Sequence, residues 1–205
     1  MIVATSGRER VLQSARELFF TRGYAEVSMQ QIAESVGLTK AALYYHFRDK
    51  DDLFAQVVVR EMTHQRQGFA REIARGGTLG EILERLAHSY IAQLSPDVVR
   101  IMVDFKQHVP ESRHTEVHQE LDAFVGTLAG LFEQAAAHGE IRDISPRLGA
   151  FLFFHTLVAA VMPSLSGSLV QIPSDPAAAA RLITSIVLHG IASKDQEHGA
   201  DGAPG

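Results

Sequence analysis

Cysteine and tryptophan are absent from this 205-residue chain. Strand signals are scarce too: no run alternates apolar and polar residues, and no Asn-Gly or Asp-Gly pair joins two such runs. Without cysteine there is no disulfide framework, no thiolate chemistry and no Cys-ligated zinc, and the composition fits a reducing cytoplasm. Also missing are a Gly-x-Ser-x-Gly elbow, a His-Glu-x-x-His helix, a P-loop and a dinucleotide fingerprint. No enzyme and no cofactor is therefore expected. The opening residues MIVATSGRERVLQSA bring charge at Arg8 before the apolar core of a secretory signal could form. The longest apolar run, Leu148 to Met162, is interrupted by His155 and Thr156. It falls short of the roughly 20 residues a membrane span needs, so it reads as a buried core helix and no membrane partner is expected. What is present, 46% hydrophobic residues over this length, is enough for a real core in one domain or two.

The formal net charge is −5, which at first sight disfavours a polyanionic partner. The distribution is uneven, however. Residues 1–50 carry seven Lys/Arg against five Asp/Glu, or +2, which leaves 12 against 19, or −7, for the remainder. That is the sign expected if only the N-terminal part meets phosphate.

Capping signals divide the chain into nine helices. Ser6-x-x-Glu9 is a capping box before VLQSARELFF, whose Leu12, Ala15 and Phe19 share a face, and Gly23 stops that helix. Ser28-x-x-Gln31 opens a short second helix that ends at Gly37, and Thr39 opens the third. Asp49-x-x-Asp52 opens a long fourth, with Phe54, Val58, Met62, Phe69 and Ile73 roughly on one side. Gly76-Gly77 breaks it and Thr78-x-x-Glu81 starts the fifth. Ser95-Pro96, Ser145-Pro146 and Asp175-Pro176 place a cap before proline at the first position of the sixth, eighth and ninth. Pro110 begins the seventh, in which His114, Val117, Leu121, Phe124, Leu128, Leu131 and Ala135 form a core-facing stripe. Pro163 ends the eighth, PSLSGSLVQIPSD is a loop, and the residues after Asp195 have too little to bury to be ordered. The expected fold is all-α: an N-terminal three-helix unit over residues 1–50, a helical body over 51–194, and a disordered tail over 195–205.

The second and third helices carry the chemistry. Ile32 and Val36 supply one apolar face; Leu38, Leu43 and Phe47 supply the other. Ala33 is small where two crossing helices approach, and Gly37 can take the positive φ of a tight turn. Ala33-x-x-x-Gly37 between two short amphipathic helices is a helix-turn-helix signature. With Leu43 and Phe47 inward, Thr39, Lys40, Ala42, Tyr44 and His46 lie wholly or partly outward, while Tyr45 fits either packing on helix four or a phosphate contact. Such a helix enters a major groove with its N-terminal residues on base edges. Lys40 can donate to guanine, and Ala42 or the Thr39 methyl can touch a thymine methyl. Tyr44 and His46 can donate to phosphate; Lys50 adds charge where the free N–H groups of helix four also attract anions. Ser28 and Gln30, at the start of helix two, can hold the other strand's backbone, although Ser28 also reads as a plain cap.

ARELFFTRGYAEVSMQQIAESVGLTKAALYYHFRDKDDLF resembles the N-terminal domain of the tetracycline-repressor (TetR) family of bacterial transcriptional regulators, in a match that covers about residues 8–55. The resemblance is carried by A-x-x-L-F-x-x-x-G-Y, S-M-x-x-I-A-x-x-x-G and L-Y-Y-H-F-x-x-K. It implies an all-helical homodimer that binds a near-palindromic double-stranded operator and is released when a small molecule enters the body. It also implies phosphate roles for Tyr44, His46 and Lys50, and base or backbone contacts around Ser28, Met29, Gln30, Thr39, Lys40 and Ala42. The N-terminal arm is short and carries only Arg8 and Arg10, so no basic arm in the minor groove is expected. A regulator without a small-molecule effector is the alternative reading, with a ligand-modifying enzyme behind it.

Helices eight and nine are apolar nearly all round and must be buried on every side, either central in a large core or against a partner subunit, the second in agreement with the homodimer that the resemblance implies. A seam with a second copy is expected from Phe151, Leu152, Phe154, Leu157, Val158 and Val161 with Leu182, Ile183, Ile186, Val187 and Ile191. A largely apolar effector would need a cavity with a few polar groups. Phe69, Met102, Phe105, Phe124, Phe132 and Phe154, with His88, His108 and His155, are the candidates. His114 and His118 have the i,i+4 spacing of two metal ligands, with Glu111 one turn earlier. No third ligand is apparent and His114 continues the core stripe, so no metal site is expected.

Overall fold

Helix starts fall where a side-chain oxygen can reach free backbone N–H groups. In the computed structural model residues 7–93, 96–141, 144–161 and 173–191 are described. Among them are nine α-helices and no strand: α1 (Gly7–Arg22), α2 (Met29–Ser35), α3 (Lys40–His46), α4 (Lys50–Ala74), α5 (Leu79–Gln93), α6 (Pro96–His108), α7 (Thr115–Ala137), α8 (Pro146–Val161) and α9 (Pro176–Ile191). Ser28 and Gln31 form a reciprocal capping box. Thr39 Oγ1 accepts from the Ala42 N–H, Asp49 Oδ1 from Asp52, and Asp175 Oδ2 from Ala178. Thr78 and Glu81 exchange bonds across the first turn of α5, and this bonding holds the Glu81 carboxyl below its usual range. Each cap satisfies donors that the helix leaves free.

One boundary differs from the sequence reading. Proline at 110 does not begin the seventh helix; it precedes a single 3-10 turn, Glu111–Arg113, and α7 starts at Thr115. His114 closes that turn and is buried: its Nε2 lies 2.8 Å from the Val109 carbonyl and its ring 4.6 Å from that of Phe105. The His114 Nε2 is thus engaged with the backbone. The expected caps at Ser6 and Ser95, the stop at Pro163, most of the loop after it and the tail from 195 lie outside the described residues.

The helices form two compact units that do not follow chain order. The first takes the described residues up to Gln65 and from Pro96 to Asp122; the second takes Arg66–Gln93 and those from Ala123 on. Leu12, Ala15 and Phe19 of α1, Ile32 of α2, Leu43 of α3, Phe54 and Val58 of α4 and Ile101 of α6 share the first core. Ion pairs fasten α1 along α4: Arg16 grips Glu61 with two nitrogens at 2.6 and 3.1 Å, and Arg60 meets Glu9 at 2.6 Å. The far end of α1 is held by α6, where Arg100 donates to the Phe20 carbonyl and Asp104 accepts the Tyr24 N–H at 2.9 Å.

The second unit is built on Leu83 and Leu86 of α5, Phe124, Leu128 and Phe132 of α7, Phe153 and Leu157 of α8, and Ala180 and Ile183 of α9. Gly149 of α8 is where α7 presses closest. A Cβ placed there would lie 2.7 Å from Cδ1 of the fully buried Phe132. Alanine would gain about 1 kcal/mol of helix propensity, but overpacking a closed core costs about 1–3 kcal/mol. Gly149→Ala should therefore lower the denaturant midpoint. With Phe132→Leu in the same chain, equilibrium unfolding should show a smaller loss than the two single losses added.

Candidate nucleic-acid interface

α2 and α3 meet around Ala33 and Gly37, as the spacing required. The Leu38 N–H donates to the Ala33 carbonyl at 2.9 Å and the Gly37 N–H to Glu34 at 3.1 Å, which closes the end of α2. Gly37 has φ +70°, a left-handed conformation that L side chains rarely take. The turn aims α3 so that Leu43 and Phe47 are buried, with the Arg8 guanidinium 5.5 Å above the Phe47 ring.

The opposite face is polar and aromatic. Thr39, Lys40, Tyr44, Tyr45 and His46 are exposed and Ala42 is half-buried. Tyr45 is 86% exposed, which excludes its packing on α4 in this chain. Its position explains why: two residues beyond Leu43 is about 200° around the helix, nearly opposite the buried side. The Lys40 ammonium lies 5.9 Å from the Tyr44 ring, and His46 stands edge-on to Tyr45 at 5.2 Å. On α2, Ser28 and Gln30 are exposed, though the Ser28 hydroxyl caps its helix and the Gln30 amide donates to Glu34 at 2.7 Å. Met29 needs correcting as a side-chain contact. It is 5% exposed, because it faces the core from the first turn of α2, and it can offer only its backbone.

The start of α4 holds contacts that sequence reasoning missed. The Lys50 ammonium lies 4.0 Å from the Tyr24 ring, and the Tyr24 hydroxyl donates to Asp51. Burial, then that hydrogen bond, drives the Tyr24 phenol well above its ordinary range. Partial desolvation lowers Lys50, opposed by Asp51 and Glu26. Arg113, from the 3-10 turn, donates to Asp49 at 2.8 Å. The Gly-Tyr pair after α1 gave a hint of the first contact; no local signal marks the second.

Of the nine residues proposed to line a cavity, six divide between the two cores and three histidines are exposed. Phe69, Phe124 and Phe154 lie together with Tyr90, at centroid separations of 5.0 Å for Phe69–Phe124, 4.7 Å for Phe124–Phe154, 6.1 Å for Phe69–Tyr90 and 6.4 Å for Tyr90–Phe154. Burial pushes the Tyr90 phenol up to about 12. Phe132 belongs to the same core. Phe105 and Met102 belong to the first unit, and His88, His108 and His155 are exposed. On α8 and α9 one apolar face is open: Leu148, Phe151, Leu152, Leu182 and Ile186 are exposed, and His155 stacks on Phe151 at 3.8 Å. From the expected seam, Leu157, Ile183 and Val187 instead fill the unit's own core, Phe154 and Val158 are half-buried, and the side chains of Val161 and Ile191 lie outside the described set.

Residues 11–57 match the model of the bacterial regulatory proteins of the tetR family. The chain is 30% identical to the HTH-type transcriptional regulator AcrR of Shigella flexneri over 118 residues, 58% of this chain and 46% of that protein. It spans less than half the length of the first three curated relatives it matches. A TetR-family regulator from Mesorhizobium loti superposes with a TM-score of 0.75 at 19% identity, covering 91% of this chain and 96% of the other. FadR of Bacillus subtilis, solved with stearoyl-CoA, superposes at 0.73 with 17% identity, covering 89% and 98%. These two likenesses show the all-helical fold.

The turn itself can be tested apart from any ligand. No atom lies within 4 Å of a Cβ built on Gly37, so a substitution there meets backbone strain alone. Gly37→Ala should cost about 1–2 kcal/mol, the left-handed penalty of an L residue, and Gly37→Asn should cost less. A thermal melt ranking glycine, asparagine, alanine and valine in that order of stability is expected. Equal stability for alanine and glycine would show that the positive φ is not required.

Proposed function

We propose that the chain, whose residues 11–57 match the model of the tetR family of bacterial regulatory proteins, is a DNA-binding transcriptional regulator of that family. In this reading it acts as a dimeric repressor released from a palindromic operator by a largely apolar small molecule. One observation carries the DNA-binding part: α3 is held by Leu43 and Phe47 alone and turns a lysine, two tyrosines and a histidine to the outside. Lys40, Thr39 and Ala42 face base edges; Tyr44, Tyr45, His46 and Lys50 face phosphates. Ser28, Gln30 and the Met29 backbone meet the flanking strand. The functional division we propose runs at residue 50, with DNA binding before it and effector binding and dimerisation over 51–194.

The open stripe on α8 and α9 supports the dimer. Leu148, Phe151, Leu152, His155 and Ala159 recur at spacings of three and four and are all exposed in the single chain. Monomeric proteins rarely leave such a stripe wet. The aromatic group Phe69, Tyr90, Phe124 and Phe154 is our choice for the effector site. FadR's complex with stearoyl-CoA is in keeping with an apolar effector. A regulator with no effector is the second reading, favoured by the outward orientation of His88, His108 and His155.

Two measurements test this. An operator selected from a random duplex pool should bind a dimer, with affinity falling as salt rises. Lys50→Ala should weaken all duplexes alike and reduce the salt slope by about one, whereas Lys40→Ala should cost about 1–3 kcal/mol at one base pair and relax preference there. An unchanged base preference in Lys40→Ala would remove α3 from the groove.

For the dimer, Ile186 is the cleanest probe, being 58% exposed, so that its replacement leaves the chain's own core intact. Ile186→Asp would bury an unpaired carboxylate in the seam. The variant should sediment as a folded monomer and lose most affinity for a full operator while keeping helical content. A dimer at unchanged concentration would move the interface off α9.

A further inference from the structure

The segment after the recognition helix poses an electrostatic difficulty. Arg48–Asp52 reads Arg-Asp-Lys-Asp-Asp, two cations against three carboxylates, a balance of −1. Acids suit the first turn of α4, where the helix end is partially positive. They do not suit a phosphate backbone, which the proposed function places against His46 before this segment and Lys50 within it.

Each carboxylate is engaged. Asp51 accepts from the Tyr24 hydroxyl, whose ring carries the Lys50 ammonium. Asp52 accepts the Arg48 N–H at 2.9 Å and lies 3.9 Å from the Arg48 guanidinium. The counter-charge on Asp49 comes from 64 positions away. Asp49 Oδ1 accepts the Asp52 N–H, and Oδ2 accepts from Arg113 Nη2, both at 2.8 Å. The side chain of Asp49 is 43% exposed, so a phosphate nearby would feel its charge if Arg113 were absent. With Arg113 counted, the balance of the segment is zero.

We infer that Arg113 belongs to the DNA interface as a positioning residue: it neutralises Asp49 and so lets the segment between His46 and Lys50 approach phosphate. It acts through Asp49. The family-model match ends at residue 57, well short of this residue. The inference rests on the DNA-binding reading above and goes beyond it by placing a residue of the α6–α7 turn in the interface. Glu116 lines the same small pocket as Arg48, Asp52 and Arg113; it is common to every variant below and cancels in the comparison.

The test is a double-mutant cycle on the selected operator, read as affinity in about 0.1 M salt. Partly exposed ion pairs contribute little to stability, so the variants should fold; Arg113→Gln replaces Arg113→Ala if the latter does not. Removing Arg113 should weaken binding about threefold to tenfold, less at high salt, because one carboxylate then sits within about a Debye length of several phosphates. Asp49→Asn alone should bind at least as tightly as the unaltered protein, since asparagine still caps α4. In that background removal of Arg113 should cost less than about twofold; a merely structural contact would instead make Asp49→Asn alone bind as weakly as the Arg113 variant, and that outcome also overturns the inference. Equal losses in both backgrounds, or no loss in either, overturn the inference and leave the DNA-binding reading standing. An unaltered protein that selects no duplex overturns both.

Discussion

The DNA contacts proposed for this chain depend on a helix that could not stand alone. α3 has seven residues, and isolated helices of that length do not form in water because nucleation outweighs so few hydrogen bonds. Its existence is a tertiary effect. Leu43 and Phe47 are inserted into a core shared with α1, α2, α4 and α6, and Thr39 supplies the missing bond at the front of the helix. Two anchors suffice because they lie four apart, on one stripe. The economy has a chemical result: apart from the Thr39 cap, the outward positions of α3 are not needed to pack the core, so they are free to take the side chains that recognition requires. Strain in the turn at Gly37 and packing under Leu43 are therefore upstream of any DNA contact.

Much of the architecture was legible because it is written in local chemistry. A serine or threonine followed three residues later by glutamine or glutamate acts over one helical turn, and Ser28 and Thr78 cap where that spacing said they would, while Thr39 caps α3 without such a partner. Other features depend on partners remote in sequence and could not be read. The start of α7 is one case. Proline at 110 fits a helical first turn, but His114 is drawn to the Val109 carbonyl and the Phe105 ring, and the chain makes a tighter turn first. Met29 is another: its place beside Ser28 suggested the DNA face, while the rotation of α2 about Ile32 and Ala33 puts it in the core. For Tyr45, left open between packing on α4 and a phosphate contact, helical geometry decides against the packing.

The body illustrates a limit of composition. α8 is apolar around almost its whole circumference, which says that every side needs a neighbour and not which neighbour. The structure apportions the sides. Ala150, Phe153 and Leu157 turn to the chain's own core, with Gly149 letting Phe132 close in; Leu148, Phe151 and Leu152 remain open. The same division appears on α9, where Ile183 and Val187 are buried and Leu182 and Ile186 are not. Two adjacent apolar stripes on two helices amount to one patch, and the hydrophobic effect makes a patch of that kind costly to leave in water.

The acids at the start of α4 show how two physical demands on one stretch of chain are reconciled. A helix N-terminus prefers negative side chains, and a surface facing phosphate prefers positive ones. Replacing Asp49 by a neutral cap would satisfy the second demand and keep most of the first, so a carboxylate there calls for a reason. Its two oxygens supply one: the first caps α4, and the second holds the turn between α6 and α7 through Arg113. A neutral cap could perform the first task but would grip a guanidinium less strongly, since charged hydrogen bonds are roughly twice as strong as neutral ones. The negative charge is thus kept for a bond that also cancels it. In this arrangement the start of α4 and the distant turn share one carboxylate, three residues beyond the end of α3, so that the turn bears on the charge presented beside the recognition helix.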